Sequence, residues 1–373
     1  MTLIASKRGI KYKKDFPEII SFLVTNRCVC RCRHCFNWSD TNERGAIGDF
    51  NKVDLTVEEI RMIFARFDPI KYIYIGGGEP FMREDLYEIL RIIYESAKPK
   101  TINISTNGQI IENMIKTTEN FLSKYPKVHL IVKVSIDGIE KDHDKIRELP
   151  GAFERAIATY YSLTRIKNKF KNLKIGINTV FSSLNQDKIF DIYNYLADLK
   201  PSPDCLGQLL VRDVPRDPFC KNGLKLEKYR KWTELYIRDM LRCKFEPDII
   251  VKLGTILMYD YICKTINENK RQVNCYAGFS GGFIDNEGKV GPCEHKKPFG
   301  SLKDNNYDFK KIWNSREADK IREEMLCGCF CTNEPQWWHP AILYNPKIFS
   351  NGIRILKKIA SSTQMKLKGR LYD

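Results

Sequence analysis

The chain has 373 residues, 43% hydrophobic and 29% charged, with a net charge of +16. This composition is that of a globular protein large enough for a full-size core and a smaller appended domain. Mean hydropathy is −0.40, and no apolar run approaches the roughly 18 residues that a membrane-spanning helix needs.

The N-terminal stretch MTLIASKRGIKYKKDFPEII is charged and lacks the apolar core of a signal peptide, which predicts a cytoplasmic protein. The basic balance favours anionic partners, or else reflects lysines spread over solvated helix faces. There are thirteen cysteines, an odd number that argues against a disulfide framework. Two tight groups, at 28, 30, 32 and 35 and at 275, 293, 327, 329 and 331, point instead to metal or cluster ligation.

From residue 18 to residue 212, β-branched runs alternate with amphipathic stretches. Strands are predicted at Ile19–Thr25, Tyr72–Ile75, Thr101–Ser105, Leu130–Ile136, Lys174–Val180 and Leu206–Val211. Helices are predicted at Thr56–Phe67, Leu86–Ala97, Ile110–Lys124, Ala152–Lys167 and Gln186–Leu199. Six such units predict an α/β fold, a partial (β/α)6 TIM-like barrel whose chemistry sits at the carboxyl ends of its strands. An N-terminal extension (1–17) precedes it and a helical linker (213–271) follows. A small cysteine-rich domain (272–336) comes next, then a basic amphipathic tail (337–373).

The first strand runs into Cys28-Val-Cys-Arg-Cys32-Arg-His-Cys35-Phe36. Three thiolates in a Cys-x3-Cys-x2-Cys loop suit three irons of a cubane cluster, leaving the fourth iron open. A four-ligand zinc site completed by Cys30 or His34 is the competing reading. The second strand ends in Gly76-Gly-Gly78-Glu79-Pro80, glycines for close backbone approach followed by a carboxylate able to accept from an ammonium group. The third and fourth strands end in Ser105-Thr-Asn-Gly108 and Ser135-Ile-Asp137-Gly138, polar groups at the same rim that also suit local turns. His143, in a charged segment, reads as a surface histidine.

These motifs together resemble the radical SAM enzymes. The resemblance implies a 4Fe–4S cluster on Cys28, Cys32 and Cys35, with Phe36 at the aromatic position that follows. It implies S-adenosylmethionine chelating the open iron, reductive cleavage to a 5′-deoxyadenosyl radical, and hydrogen abstraction from a substrate. Gly77, Gly78 and Glu79 would hold the methionyl amine. Ser135, with Thr106, Asn107 and Asp137, would contact the methionyl carboxylate and ribose. Asn178, Leu209 and Val211 would line the adenine, and Arg212 would neutralise an anionic group.

In the second group, Cys275, a hairpin turn at Gly288 leading to Cys293, and Cys327-Gly-Cys329-Phe-Cys331 converge on a segment with little apolar bulk. A metal is expected to hold it together, zinc included. The pattern resembles the SPASM/twitch extensions of radical SAM enzymes, and no cysteine follows Cys331. It implies one auxiliary 4Fe–4S cluster on four of these five cysteines.

The tail contains Trp337-Trp338-His339-Pro340 and a basic amphipathic stretch, 346–373, able to lie on an anionic membrane or to pack on the barrel. The expected partners are a small-molecule, lipid-linked or peptide substrate and an electron donor such as flavodoxin or ferredoxin. Within the family, a peptide or protein maturase competes with a lipid- or sugar-modifying enzyme. The rival outside it is a zinc-stabilised basic module for nucleic acid, a partner for which no recognised motif is found.

Overall fold

A computed structural model describes residues 3–5, 11–13, 16–37, 54–242, 244–245, 249–270, 272, 275–328 and 331–332. Chain contacts divide it into two compact units, 1–225 with 277–329, and 226–276 with 330–373.

The first unit opens with a short antiparallel pair, β1 (Leu3–Ala5) and β2 (Lys11–Lys13). Six parallel strands then follow in sequential order: β3 (Ile19–Thr25), β4 (Tyr72–Gly77), β5 (Thr101–Thr106), β6 (His129–Ser135), β7 (Leu173–Phe181) and β8 (Cys205–Leu210). Helices α1 (Val57–Phe64), α2 (Leu86–Ala97), α3 (Ile111–Lys124), α4 (Lys141–Arg147), α5 (Ala152–Lys169) and α6 (Ile189–Ala197) connect them. Every predicted strand and helix is found, with ends displaced by up to three residues.

Period-two burial explains the layering. Ile20, Phe22 and Val24, Ile73 and Ile75, and Leu130, Val132 and Val134 are sealed on the helix side. Their alternates, among them Ser21, Tyr74, Ser105, Ser135 and Asn178, are only partly buried and line the opposite, concave face. The helices supply the cover with i, i+3, i+4 stripes, such as Leu86, Ile89, Leu90 and Ile93 of α2. A capping box starts α1: Thr56 Oγ1 accepts from the Glu59 N–H at 3.2 Å, and Glu59 Oε2 accepts from the Thr56 N–H at 2.8 Å.

The cysteine-rich segment continues the same sheet. β9 (Gly281–Ile284) pairs parallel to β3 on its free edge. β10 (Lys289–Gly291) and β11 (Gly300–Ser301) then add antiparallel strands. Two helices follow, α9 (Phe309–Trp313) and α10 (Arg316–Gly328). Phe67 meets Phe16 and Phe309 with ring centroids 5.1 and 4.8 Å apart, binding this segment to the barrel core.

Arg322 of α10 is fully buried between Phe299 and Trp313, its guanidinium 4.9 and 4.8 Å from their ring centroids. It donates to the Gly278 and Trp313 carbonyls at 2.5 and 2.7 Å and pairs with Asp319 at 2.7 Å.

In the second unit, α7 (Leu226–Leu241) packs on α8 (Ile249–Glu268), with Trp232, Tyr236 and Met240 of α7 and Leu257, Tyr259 and Ile262 of α8 buried. Among the described residues no helix is long and apolar enough to cross a membrane. Residues 337–373, where the amphipathic tail was expected, lie outside the described residues.

Replacing Arg322 with Met strands two buried carbonyls. We expect a loss of roughly 2–4 kcal/mol, read as a lower urea midpoint at unchanged m-value. A midpoint equal to that of the native chain would show that the arginine does not tie the segment together.

Candidate functional site

The site is assembled where β3, β4, β5 and β6 end. The glycine turn after β4 lies directly against the start of the cysteine loop. The Gly78 N–H donates to the Thr25 carbonyl and the Glu79 N–H to the Arg27 carbonyl, both at 2.7 Å. There is no clearance for a side chain. A Cβ on Gly77, whose φ is +120°, would stand 2.1 Å from the Thr25 oxygen, and one on Gly78 2.2 Å from the Arg27 oxygen.

Glu79 is 0% exposed. Its Oε1 accepts from the Phe81 N–H at 3.1 Å and the Thr106 hydroxyl at 2.8 Å, and its Oε2 from the Asn107 N–H at 2.6 Å. The carboxylate thus ties the end of β4 to the end of β5. Burial lifts its pKa to about 7, against the hydrogen bonds from Asn107, Phe81 and Thr106 that favour the charged form. Thr106 Oγ1 also accepts from the Gly108 N–H at 3.0 Å, and Asn107 Oδ1 from the Gln109 N–H at 3.0 Å. The local turns weighed for both residues are therefore present. Asn107 reaches further: its amide donates to Cys28 Sγ at 3.4 Å.

The loop's other support is α4. His143, Ile146 and Arg147 are buried at i, i+3 and i+4, one face of that helix. His143 is not the surface residue its charged neighbours suggested. Burial and the Arg147 charge bring it down to about pKa 3, and its neutral Nδ1 accepts from the Asp137 N–H at 3.0 Å. Arg147 pairs with Asp137 at 2.5 Å and donates to Cys32 Sγ at 3.4 Å. The Arg31 and Arg33 N–H groups bond to the carbonyls of Arg147 and Ile146 at 3.0 and 2.9 Å.

Asp137 is also 0% exposed. Burial is the largest single influence and opposes its charge, but Arg147, the two histidines His34 and His143 and the Val180 N–H together hold the carboxyl below its usual range. Its other oxygen accepts from the Val180 N–H at 2.7 Å.

The Pro/Asp-rich turn after β8, expected as the start of a linker, clamps the loop from outside. The Arg216 N–H donates to the Cys35 carbonyl at 2.9 Å, and the Asp217 N–H to the Arg33 carbonyl at 2.8 Å. Arg33 pairs with Asp217 at 2.7 Å and Arg216 with Glu148 at 2.5 Å.

Cys28, Cys32 and Cys35 stand on this braced loop outside any disulfide, with Cys30 and His34 buried between them. A hydrogen bond with Cys30, and then the Arg147 charge, lower the Cys32 thiol despite its burial. Contacts with Cys28 and Cys32, together with burial, push Cys30 up. The protein therefore favours a thiolate at 32 and a thiol at 30. Three thiols on one loop are the donor set that an iron–sulfur cubane takes, each thiolate on a different iron.

Ser135 ends β6 beside Asn178 of β7, on the concave face. Leu209 lies on that face in β8, while Val211 is buried just beyond the strand. Arg212 pairs with Glu294 at 3.1 Å and covers the Phe36 ring at 5.3 Å. Phe36 also meets the His295 ring at 5.4 Å, and His295 bonds Asp213 at 2.7 Å. Phe36, beside Cys35, thereby touches the segment that follows Cys293.

Cys293 is buried just past β10, in the first unit. Cys275 and Cys331 are partly buried and assigned to the second. Cys329 and the side chain of Cys327 lie outside the described residues.

Residues 22–196 match the radical SAM superfamily, and residues 275–333 match an iron–sulfur cluster-binding domain, SPASM. Over these spans the chain carries a radical SAM domain and a SPASM domain. The radical SAM match implies a 4Fe–4S cluster and S-adenosylmethionine, and the SPASM match implies auxiliary iron–sulfur ligation.

The chain is 29% identical over 233 residues to Fe-coproporphyrin III synthase of Methanosarcina barkeri, covering 61% of this chain and 53% of that protein. It is 26% identical over 312 residues to the antilisterial bacteriocin subtilosin biosynthesis protein AlbA of Bacillus subtilis, covering 82% and 62%. The chain thus spans about half the length of the first of these curated relatives. The structure of native anSMEcpe with bound AdoMet and Cp18Cys peptide superposes with a TM-score of 0.54 at 16% identity, over 95% of this chain and 99% of that one. At that identity the likeness shows the fold alone.

Because its folded pKa is raised from 4.5 to about 7, Glu79 stabilises the fold fully only below about pH 4.5. That contribution is lost as pH rises through 7, by about 3 kcal/mol at most. Comparing urea midpoints between pH 5 and 8, the native chain should weaken relative to Glu79→Gln, which cannot ionise. Parallel pH profiles would show that the carboxylate is already charged across this range.

Proposed function

We propose that this chain reductively cleaves S-adenosylmethionine at a 4Fe–4S cluster held by Cys28, Cys32 and Cys35. The observation that carries the reading is the braced three-thiol loop, with Asn107 and Arg147 donating to two of its sulfurs and the Gly77–Glu79 turn packed on its backbone. When bound, the cluster supplies the electron that splits a C–S bond of S-adenosylmethionine into methionine and a 5′-deoxyadenosyl radical, which takes a hydrogen atom from substrate.

The chain's own residues hold and orient. Gly77, Gly78 and Glu79 form the methionyl-amine site. Glu79 already accepts three protein hydrogen bonds, so it acts mainly by fixing the turn's backbone. Ser135 and Asn107 face the methionyl carboxylate and ribose, with Thr106 and Asp137 bracing them from behind. Asn178, Leu209 and Val211 lie along the adenine. Arg212 holds Phe36 and Glu294 in place beside the cluster loop.

One auxiliary 4Fe–4S cluster takes four of Cys275, Cys293, Cys327, Cys329 and Cys331. With all four positions filled by protein, it carries electrons and does not bind substrate. The boundaries at 18–212 and 272–336 are retained for the barrel and the auxiliary domain, supported by the extents of the two family matches.

For the substrate, a peptide-modifying role draws support from the relationship to AlbA and the fold shared with the peptide-bound anSMEcpe. A flavodoxin or ferredoxin would deliver the electron.

Anaerobically reconstituted protein with a strong reductant should form 5′-deoxyadenosine. Replacing Cys28, Cys32 and Cys35 together with Ala should reduce it by at least a thousandfold, to background. Persistent product would refute the assignment. Cys293→Ala should remove about four irons per chain while leaving the first cluster, a count that checks the auxiliary site.

A further inference from the structure

The concave face of the barrel carries a cation that the proposed chemistry does not use. Lys133 stands on β6 two residues before Ser135, and so projects from the same face of the sheet. The register places it between Ser105 of β5 and Gly176 of β7. A Cβ added to Gly176 would lie 3.1 Å from Lys133 Cγ and 2.7 Å from Cys205 Sγ, so the lysine stem crosses the bare glycine. Gly176 and Gly207 together remove side-chain bulk from this stretch of β7 and β8.

Lys133 is partly buried, yet among the described residues its ammonium has no hydrogen-bond acceptor and no ion-pair partner. Ser105, its register partner on β5, and Ser135, two residues on, are neutral. One layer nearer the rim, Asn178 Oδ1 is buried without a donor, in the space a Gly207 side chain would occupy. An ammonium with no counter-charge on this face is available to pair with an anion that enters the lumen, and Asn178 Oδ1 is available to accept from a donor group on the same ligand.

We propose that Lys133 binds an anionic group of the substrate, a carboxylate or a phosphate, about 6.6 Å below the Ser135 rim. This rests on the radical SAM reading above and adds a substrate class to it. The depth separates Lys133 from the methionyl end of S-adenosylmethionine, which that reading places at the strand ends. Lys133 thus holds the anionic end of the substrate deep in the lumen, and the group to be attacked extends toward the rim. It is a binding residue with no proton to transfer.

The test is amine acetylation of the reconstituted chain, followed by mass spectrometry, with exposed Lys127 as the internal reference. Glutarate, inorganic phosphate and uncharged glutaramide serve as probes. We expect glutarate, phosphate or both to slow acetylation of Lys133 at least fivefold relative to Lys127, and glutaramide to have no effect; whichever anion protects identifies its source. Calorimetry of the protecting anion should give a Kd at least tenfold weaker in Lys133→Met and within threefold of native in Lys133→Arg.

Equal labelling with and without anions overturns the assignment, as does full protection by S-adenosylmethionine alone. A native chain that forms no 5′-deoxyadenosine overturns the enzymatic reading and this one with it. A chain that forms it while Lys133 stays unprotected overturns this assignment alone.

Discussion

The site depends on a seam with no spare volume, where the glycine turn after β4 meets the backbone that leads into the cysteine loop. Two 2.7 Å backbone hydrogen bonds close it, and any side chain on Gly77 or Gly78 would collide with a carbonyl oxygen. The buried Glu79 carboxylate locks the same turn to β5. These contacts fix where the three-thiol loop begins. From there Asn107, Arg147 and the 216–217 clamp determine where each sulfur lies. A loop proposed to present three thiolates to one cluster cannot rely on its own stiffness, and here three neighbouring strand ends and a helix hold it.

Buried charge follows the same logic. Asp137, Arg147, His143 and Cys32 form one network in which the cation is matched by a carboxylate and a thiol held below its ordinary pKa, while the imidazole stays neutral. Such a network is costly to break, because removing one member leaves another charged and dry. Lys133 differs in having no counter-charge among the described residues. The contrast between a paired cation behind the cysteine loop and one without a protein partner in the lumen separates structural charge from charge held ready for a ligand.

Much of the framework was legible in the sequence because it rests on local rules. Alternation marked the six strands, helical periodicity marked the helices between them, and Cys-x3-Cys-x2-Cys followed by Gly-Gly-Glu-Pro one strand later marked the site. What was missed depends on tertiary register. His143 sits among charged residues, yet its spacing to Ile146 and Arg147 already described one buried face. Arg216 and Asp217 read as a turn because nothing local shows that the chain returns to the first loop. Lys133 is an ordinary lysine until alternation is combined with the two glycines opposite it. The continuation of the barrel sheet through β9 was equally hidden, since a parallel pairing between residues near 20 and 283 leaves no short-range trace.

The most direct test of the account is electron paramagnetic resonance of the dithionite-reduced, anaerobically reconstituted Cys293→Ala chain, with and without S-adenosylmethionine. The account predicts a reduced 4Fe–4S signal from the loop of Cys28, Cys32 and Cys35 whose g-values shift when S-adenosylmethionine is added, because one iron has no protein ligand. A colourless protein with stoichiometric zinc, or a cluster signal unmoved by S-adenosylmethionine, would contradict it.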